Sequence, residues 1–157
     1  MKKYLIIAIA GLLLSVTSEA YALEITPGGL QQALASEAAT IVDLTLTGKG
    51  DARDLQYIST LPALRTLDMS GLQIVETKSD KAIHLSRHHF PANTLPAYIF
   101  SLSKLEKVVM PSTLTKIEEG AFASSNLNTV TFGASVKTIG SWAFYKTCLL
   151  YTSPSPR

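Results

Sequence analysis

The sequence predicts an α/β-type repeat solenoid with a parallel sheet on one side, short helical turns, short second strands, and a capping helix at its N-terminal end. Two observations carry that expectation. An Ile-x-x-x-Ala-Phe phrase at Ile117 to Phe122 returns as Ile139 to Phe144, 22 residues later. One apolar spacing also recurs four times, as Ile41/Leu44/Leu46, Leu64/Leu67/Met69, Leu105/Val108/Met110 and Leu127/Val130/Phe132. Alternate residues of a strand face one side, so the second and third positions of each copy point into one core and the first turns the corner. A single copy cannot bury that face. Stacked copies join their strands into one parallel sheet and their apolar columns into one interior.

Laid out at this period, Leu95, Ile117 and Ile139 form one column, Phe100, Phe122 and Phe144 a second, and Leu105 and Leu127 a third. Pro111 or Gly133 ends each of the last two strands, and Leu114/Ile117 or Val136/Ile139 resumes an apolar pattern suited to a short second strand. Gly120-Ala121-Phe122 and Trp142-Ala143-Phe144 then read as helical turns, with Ala allowing close approach and Phe filling the space between layers. Aromatic residues at a repeating core phase are read as packing, ahead of a ligand-stacking site.

The remaining segments follow from this array. Residues 1–22 read as a secretory leader, with Lys2-Lys3, an apolar run from Leu5 to Leu14, and a small-x-small site at Ala20-Tyr21-Ala22. The run is shorter than the roughly 20 residues of a membrane span, no second span follows, and no cysteine near Ala22 can take a lipid. Export is expected, to the cell surface, the medium or the periplasm. Residues 23–40 are assigned to the N-terminal cap, with Leu30 and Leu34 on one helical face after Thr26-Pro27-Gly28. Asp51 is placed as the cap of a helix carrying Leu55 and Ile58 and ending before Pro62. Residues 41–147 form the repeat domain.

Between Ile74 and Asn93 the phase is lost, so 75–93 read as an irregular insertion. It holds His84, His88 and His89, with Asp80 nearby; an i, i+4 histidine pair on a helix can chelate, but these residues supply too few ligands in a defined geometry, and a solvated loop ranks first. Cys148 is the sole cysteine, so stability rests on packing rather than on disulfides. Of the 14 basic and 12 acidic residues, Lys2, Lys3 and Glu19 lie in the leader, leaving 12 and 11. That balance gives no electrostatic reason to expect nucleic acid.

The Pro-x-x-Leu-x-x-Ile-x-x-x-Ala-Phe phrase from Pro111 to Phe122 resembles the leucine-rich repeat of BspA-like bacterial surface antigens. The copy from Gly133 to Phe144 matches with Gly for Pro, and the likeness spans about residues 41 to 147. The resemblance implies a secreted or surface-displayed leucine-rich repeat solenoid that binds host or microbial macromolecules, often in adhesion, without catalysis or cofactor. Three departures stand beside it. Position 72 is Leu, where many such repeats place Asn after the strand. The stretch around His84 to Phe90 breaks phase. After Leu149 the columns call for apolar residues where Thr152 and Pro154 stand, and "CLLYTSPSPR" resembles a translated sequencing-adapter tail, so residues 148–157 are expected to be non-native, the natural chain continuing with further repeats.

Function follows as an expectation. No Gly-rich phosphate loop, His-Glu-x-x-His, nucleophile elbow or paired metal-binding cysteines occur, so no enzyme, cofactor or metal is expected. The outward strand positions Asp43, Thr45, Thr47, Thr66, Asp68, Ser70, Lys107, Val109, Thr129 and Thr131 are the candidate partner-binding residues, polar and small enough for a protein or glycan surface. A structural spacer of a larger surface protein is the alternative; a secreted hydrolase or metal-binding protein ranks below both. Self-association through an uncapped C-terminal end is also expected.

Overall fold

The computed structural model describes residues 20–81 and 83–149; the run from Met1 to Leu14 and the tail beyond Leu149 lie outside those residues. The elements in chain order are β1 (Ala20–Ile25), α1 (Leu30–Ala33), β2 (Asp43–Gly50), α2 (Ala52–Ser59), β3 (Thr66–Ile74), β4 (Thr77–Lys78), β5 (His89–Phe90), β6 (Thr94–Leu95), β7 (Lys107–Val109), β8 (Lys116–Ile117), β9 (Thr129–Thr131) and β10 (Thr138–Ile139). They wind a solenoid of about five turns. One sheet has the order β1-β2-β3-β7-β9 and a second β10-β8-β6, and every pairing in both is parallel. The short second strands expected near Ile117 and Ile139 are β8 and β10.

The sheet register follows the apolar copies. Leu44, Leu67, Val108 and Val130 are successive partners across β2, β3, β7 and β9. Leu46, Met69 and Met110 are buried beside them, and Ile41, Leu64, Leu105 and Leu127 are buried at the corners. Phe100 and Phe122 are fully buried with ring centroids 5.4 Å apart, and Phe122 stacks on Phe144 at the same spacing. Each fully buried ring contributes roughly 1.5–3 kcal/mol of transfer free energy.

Among the described residues, helix appears only in the first two coils. α2 begins at Asp51, whose carboxylate accepts from Arg53 N, while the Asp54 carboxylate accepts from Asp51 N, a reciprocal pair that satisfies two of the free donors of the first turn. Its inward face carries Leu55 and Ile58, both buried. Leu30 and Leu34 are buried at either end of the single helical turn α1.

In the later coils the expected helical turns are absent. At 97–102, 119–124 and 141–146 the chain makes successive tight turns instead. Tyr98, Gly120 and Trp142 have φ of 54°, 60° and 56°, and Leu102, Ser124 and Lys146 are likewise left-handed. A left-handed residue at every fourth position cannot continue an α-helix. It turns alternate N–H groups along the stack: Tyr98, Phe100 and Leu102 donate to the carbonyls of Glu119, Ala121 and Ala123, and Gly120, Phe122 and Ser124 to those of Ser141, Ala143 and Tyr145. These bonds join coil to coil, whereas helical bonds would have closed within one coil.

From Lys107 to its partner Thr129 the chain advances 22 residues, but from Thr66 to its partner Lys107 it advances 41, a surplus of 19. The β4–β5 hairpin lies within that surplus, pairing Thr77 with Phe90 and Lys78 with His89 in antiparallel register.

Candidate binding face

Strand alternation places every other residue of the five-stranded sheet away from the core, and the parallel register sorts these residues into transverse rows. One row runs Ala20, Asp43, Thr66, Lys107, Thr129; the next runs Ala22, Thr45, Asp68, Val109, Thr131. Eight of the ten sequence-derived candidates therefore lie side by side in two rows. Thr47 begins a shorter row with Glu24 on one side and Gly71 on the other.

Ser70 is displaced from that row. The register between β2 and β3 slips between Thr45 and Thr47, so Gly71 rather than Ser70 stands opposite Thr47. Asp68 Oδ1 accepts from Ser70 N at 2.8 Å, a local turn bond that accommodates the extra residue. Strict alternation at period two places Ser70 in the row, because a bulge is invisible to it. Sequence reasoning also omitted Glu24, Lys49 and Gln73, all exposed, the last two being cross-strand partners. Extending the alternation past Thr47 would have found Lys49.

The face is exposed or half-buried, polar and mixed in charge, with Asp43 and Asp68 on adjacent central strands and Lys107 beside them. Two of its threonines are engaged locally: Thr47 Oγ1 donates to Leu23 O at 3.3 Å and Thr129 Oγ1 to Asn128 Oδ1 at 2.8 Å. None of these side chains supports the core. The face can offer multipoint hydrogen bonding and charge contacts.

The histidine segment is organised differently from a chelating helix. His84 Nε2 donates to Ala97 O at 2.8 Å, His88 Nδ1 to Ser79 O at 3.2 Å, and His89 Nε2 lies 2.8 Å from Glu76 Oε1. Each ring is thus committed to a separate oxygen. Arg87 Nη1 meets Glu118 Oε2 at 2.6 Å, and its guanidinium sits 4.8 Å from the centroid of the Phe90 ring. Burial alone would raise the Glu118 carboxyl; the hydrogen bond and charge of Arg87, the Ala97 N–H and nearby Lys116 outweigh it and hold the group below its ordinary value. Glu76 is also lowered, first by His89 and then by Lys78. His84, Arg87 and Glu118 therefore fasten the hairpin to the following coil. Sequence reasoning found the histidines but not this fastening, since it joins residues 31 apart in the chain.

A family profile described as a BspA type leucine rich repeat region, in 6 copies, matches residues 81–153. No curated protein sequence matches the chain. Repeats of this type form scaffolds that are typically binding rather than catalytic, and the family is typically surface-associated. Among the described residues no helix is long and apolar enough to cross a membrane.

Proposed function

We propose, from the premise that residues 81–153 are a BspA-type leucine-rich repeat region, that the chain is an exported, non-catalytic scaffold whose outer sheet face binds a protein or glycan surface, in adhesion at the cell surface. The domain plan that goes with this reading is a leader at 1–22, an N-terminal cap at 23–40 and a repeat array at 41–147 with an insertion at 75–93. The observation that carries the reading is the pair of transverse rows centred on Asp43, Thr66 and Lys107 and on Thr45, Asp68 and Val109. Their side chains are fixed relative to one another by the ladder beneath them and can be varied without touching the core. Binding would be the sum of several weak contacts on a preorganised surface, with no metal requirement.

The test is a glycan array and a binding assay against immobilised extracellular matrix proteins, run on the chain and on a variant carrying Asp43→Ala, Thr45→Ala, Asp68→Ala and Lys107→Ala. Retention by a defined ligand that the variant loses while keeping its thermal midpoint supports the reading. Retention that is unchanged in the variant places the contact elsewhere and refutes it.

A further inference from the structure

Where the last helical coil meets the first turn-built one, the two do not nest completely. The end of α2 and the chain after it, from Ile58 to Leu64, face Leu102 to Leu105 across a cleft of about 170 Å³. An apolar cavity of about 150 Å³ holds one benzene ring, so this cleft has room for one large apolar side chain. Its walls are Ile58, Leu61, Leu64 and Leu105, all buried, and Leu102 stands 79% exposed at its edge. None of the lining residues belongs to the two rows of the outer sheet face.

Three departures from the repeat coincide there. Positions 102, 124 and 146 share one phase, and the later two hold Ser124 and Lys146, so only the copy beside the cleft presents a large apolar side chain. Ser125 Oγ and Thr147 Oγ1 donate to the carbonyls of Phe122 and Phe144, both at 2.8 Å, whereas Ser103 Oγ, at the same phase, is buried without a partner among the described residues. Asn126 N donates to Ser103 O at 3.1 Å, but Lys104 N, one repeat earlier, has no acceptor among the described residues. Across the cleft the Ser59 and Thr60 hydroxyls already donate to Gln56 O and Tyr57 O. The site thus combines an apolar floor with two donors that lack acceptors, and the one charge among its lining residues is the exposed Lys104 ammonium.

We infer that this cleft is a peptide-binding site that takes a leucine or phenylalanine at the C-terminus of a partner chain. The side chain enters between Ile58, Leu61, Leu64 and Leu105 and covers Leu102. The terminal carboxylate accepts from Ser103 Oγ and Lys104 N and lies beside the Lys104 ammonium, giving the buried hydroxyl the partner it lacks. The lining selects an acid: it holds one cation and no carboxylate, so a ligand amine finds no counter-ion there. A leucine inside a chain would put a neutral amide at the same place and forgo the charge-assisted bonds. The inference stands apart from the sheet-face reading, because it uses none of the ten candidate residues.

Amide-resolved NMR titration of the chain tests this with three peptides: Gly-Ser-Gly-Ser-Gly-Leu as the free acid, the same peptide as its C-terminal amide, and Gly-Ser-Gly-Ser-Gly-Gly as the free acid. The leucine acid should shift the signals of Leu61, Ser103, Lys104 and Leu105, with a dissociation constant of about 1 mM or below. Exchanging its leucine for glycine should weaken binding about tenfold or more, and amidation should weaken it several-fold. Two variants at exposed positions, which leave the core intact, complete the comparison. Lys104→Glu should weaken the leucine acid about tenfold while changing little for the amide, and Leu102→Asp should weaken both forms. Silence of those signals at about 10 mM leucine acid overturns the inference. So does an equal response to the leucine and glycine acids, or to acid and amide, and these comparisons need only the wild-type chain.

Discussion

At the scale of single residues, the fold depends on a few positions where a side chain has no alternative neighbour. Phe122 is buried between Phe100 and Phe144, so Phe122→Ala opens a cavity on both sides and should lower unfolding free energy by about 3–5 kcal/mol in urea titration. Phe144→Ala should cost less, because that ring is only half-buried. Gly120 has φ of 60°, and a Cβ placed there would lie 2.2 Å from Cε1 of Tyr98. Gly120→Ala should therefore destabilise by more than about 1 kcal/mol, both from the left-handed backbone and from the displaced ring. The phenylalanine column was legible in the sequence as a 22-residue period. The left-handed column was not, because Tyr98, Trp142, Leu102 and Lys146 carry no compositional sign of that conformation; Gly120 alone hints at it.

At the scale of elements, polar fastenings hold together pieces that the apolar period leaves loosely specified. The Asp54 carboxylate accepts from Gly28 N at 2.8 Å, Leu30 N at 3.1 Å and Asp51 N at 2.9 Å, tying the first coil to the start of α2. Asp54→Ala leaves these donors without their acceptor, at about 1–3 kcal/mol for each that stays buried, and the loss should appear as a lowered thermal midpoint with faster amide exchange at Gly28 and Leu30. The hairpin is fastened by Arg87 and Glu118. Because the folded state holds Glu118 below its ordinary value of 4.5, the contribution is present above that value and lost as pH falls through the depressed one. Thermal midpoints should accordingly place wild type above Glu118→Gln near neutral pH and bring the two together under acid conditions; parallel curves at all pH would show that the carboxylate charge has no part in docking. The strands β2, β3, β7 and β9 and the helix α2 were readable from apolar spacing and from Asp51 as a cap, whereas β1 was not, since Ala20–Ile25 straddles the stretches assigned to the leader and the cap, and the later helical turns proved to be tight turns. The Asp54 tie and the Arg87 clasp were hidden because each links elements through three dimensions rather than through a local pattern.

At the scale of the whole molecule, coils of unlike construction share one interior: helical in the first two, turn-built in the last three, with a hairpin inserted between β3 and β6. The common element is the parallel sheet, and its outer face keeps eight of the ten candidate residues in two rows because the ladder beneath them has a fixed register. That much of the site was foreseeable from period-two alternation; the displacement of Ser70 was not, since a one-residue bulge leaves no trace in the apolar pattern. The candidate binding face presupposes successive coils in contact along one spine. Nuclear Overhauser contacts among the aromatic rings measure this most directly. The account predicts contacts from Phe100 to Phe122 and from Phe122 to Phe144, with none linking Phe100 to Phe144; rings that contact neither neighbour, or that give averaged, undispersed signals, would contradict it.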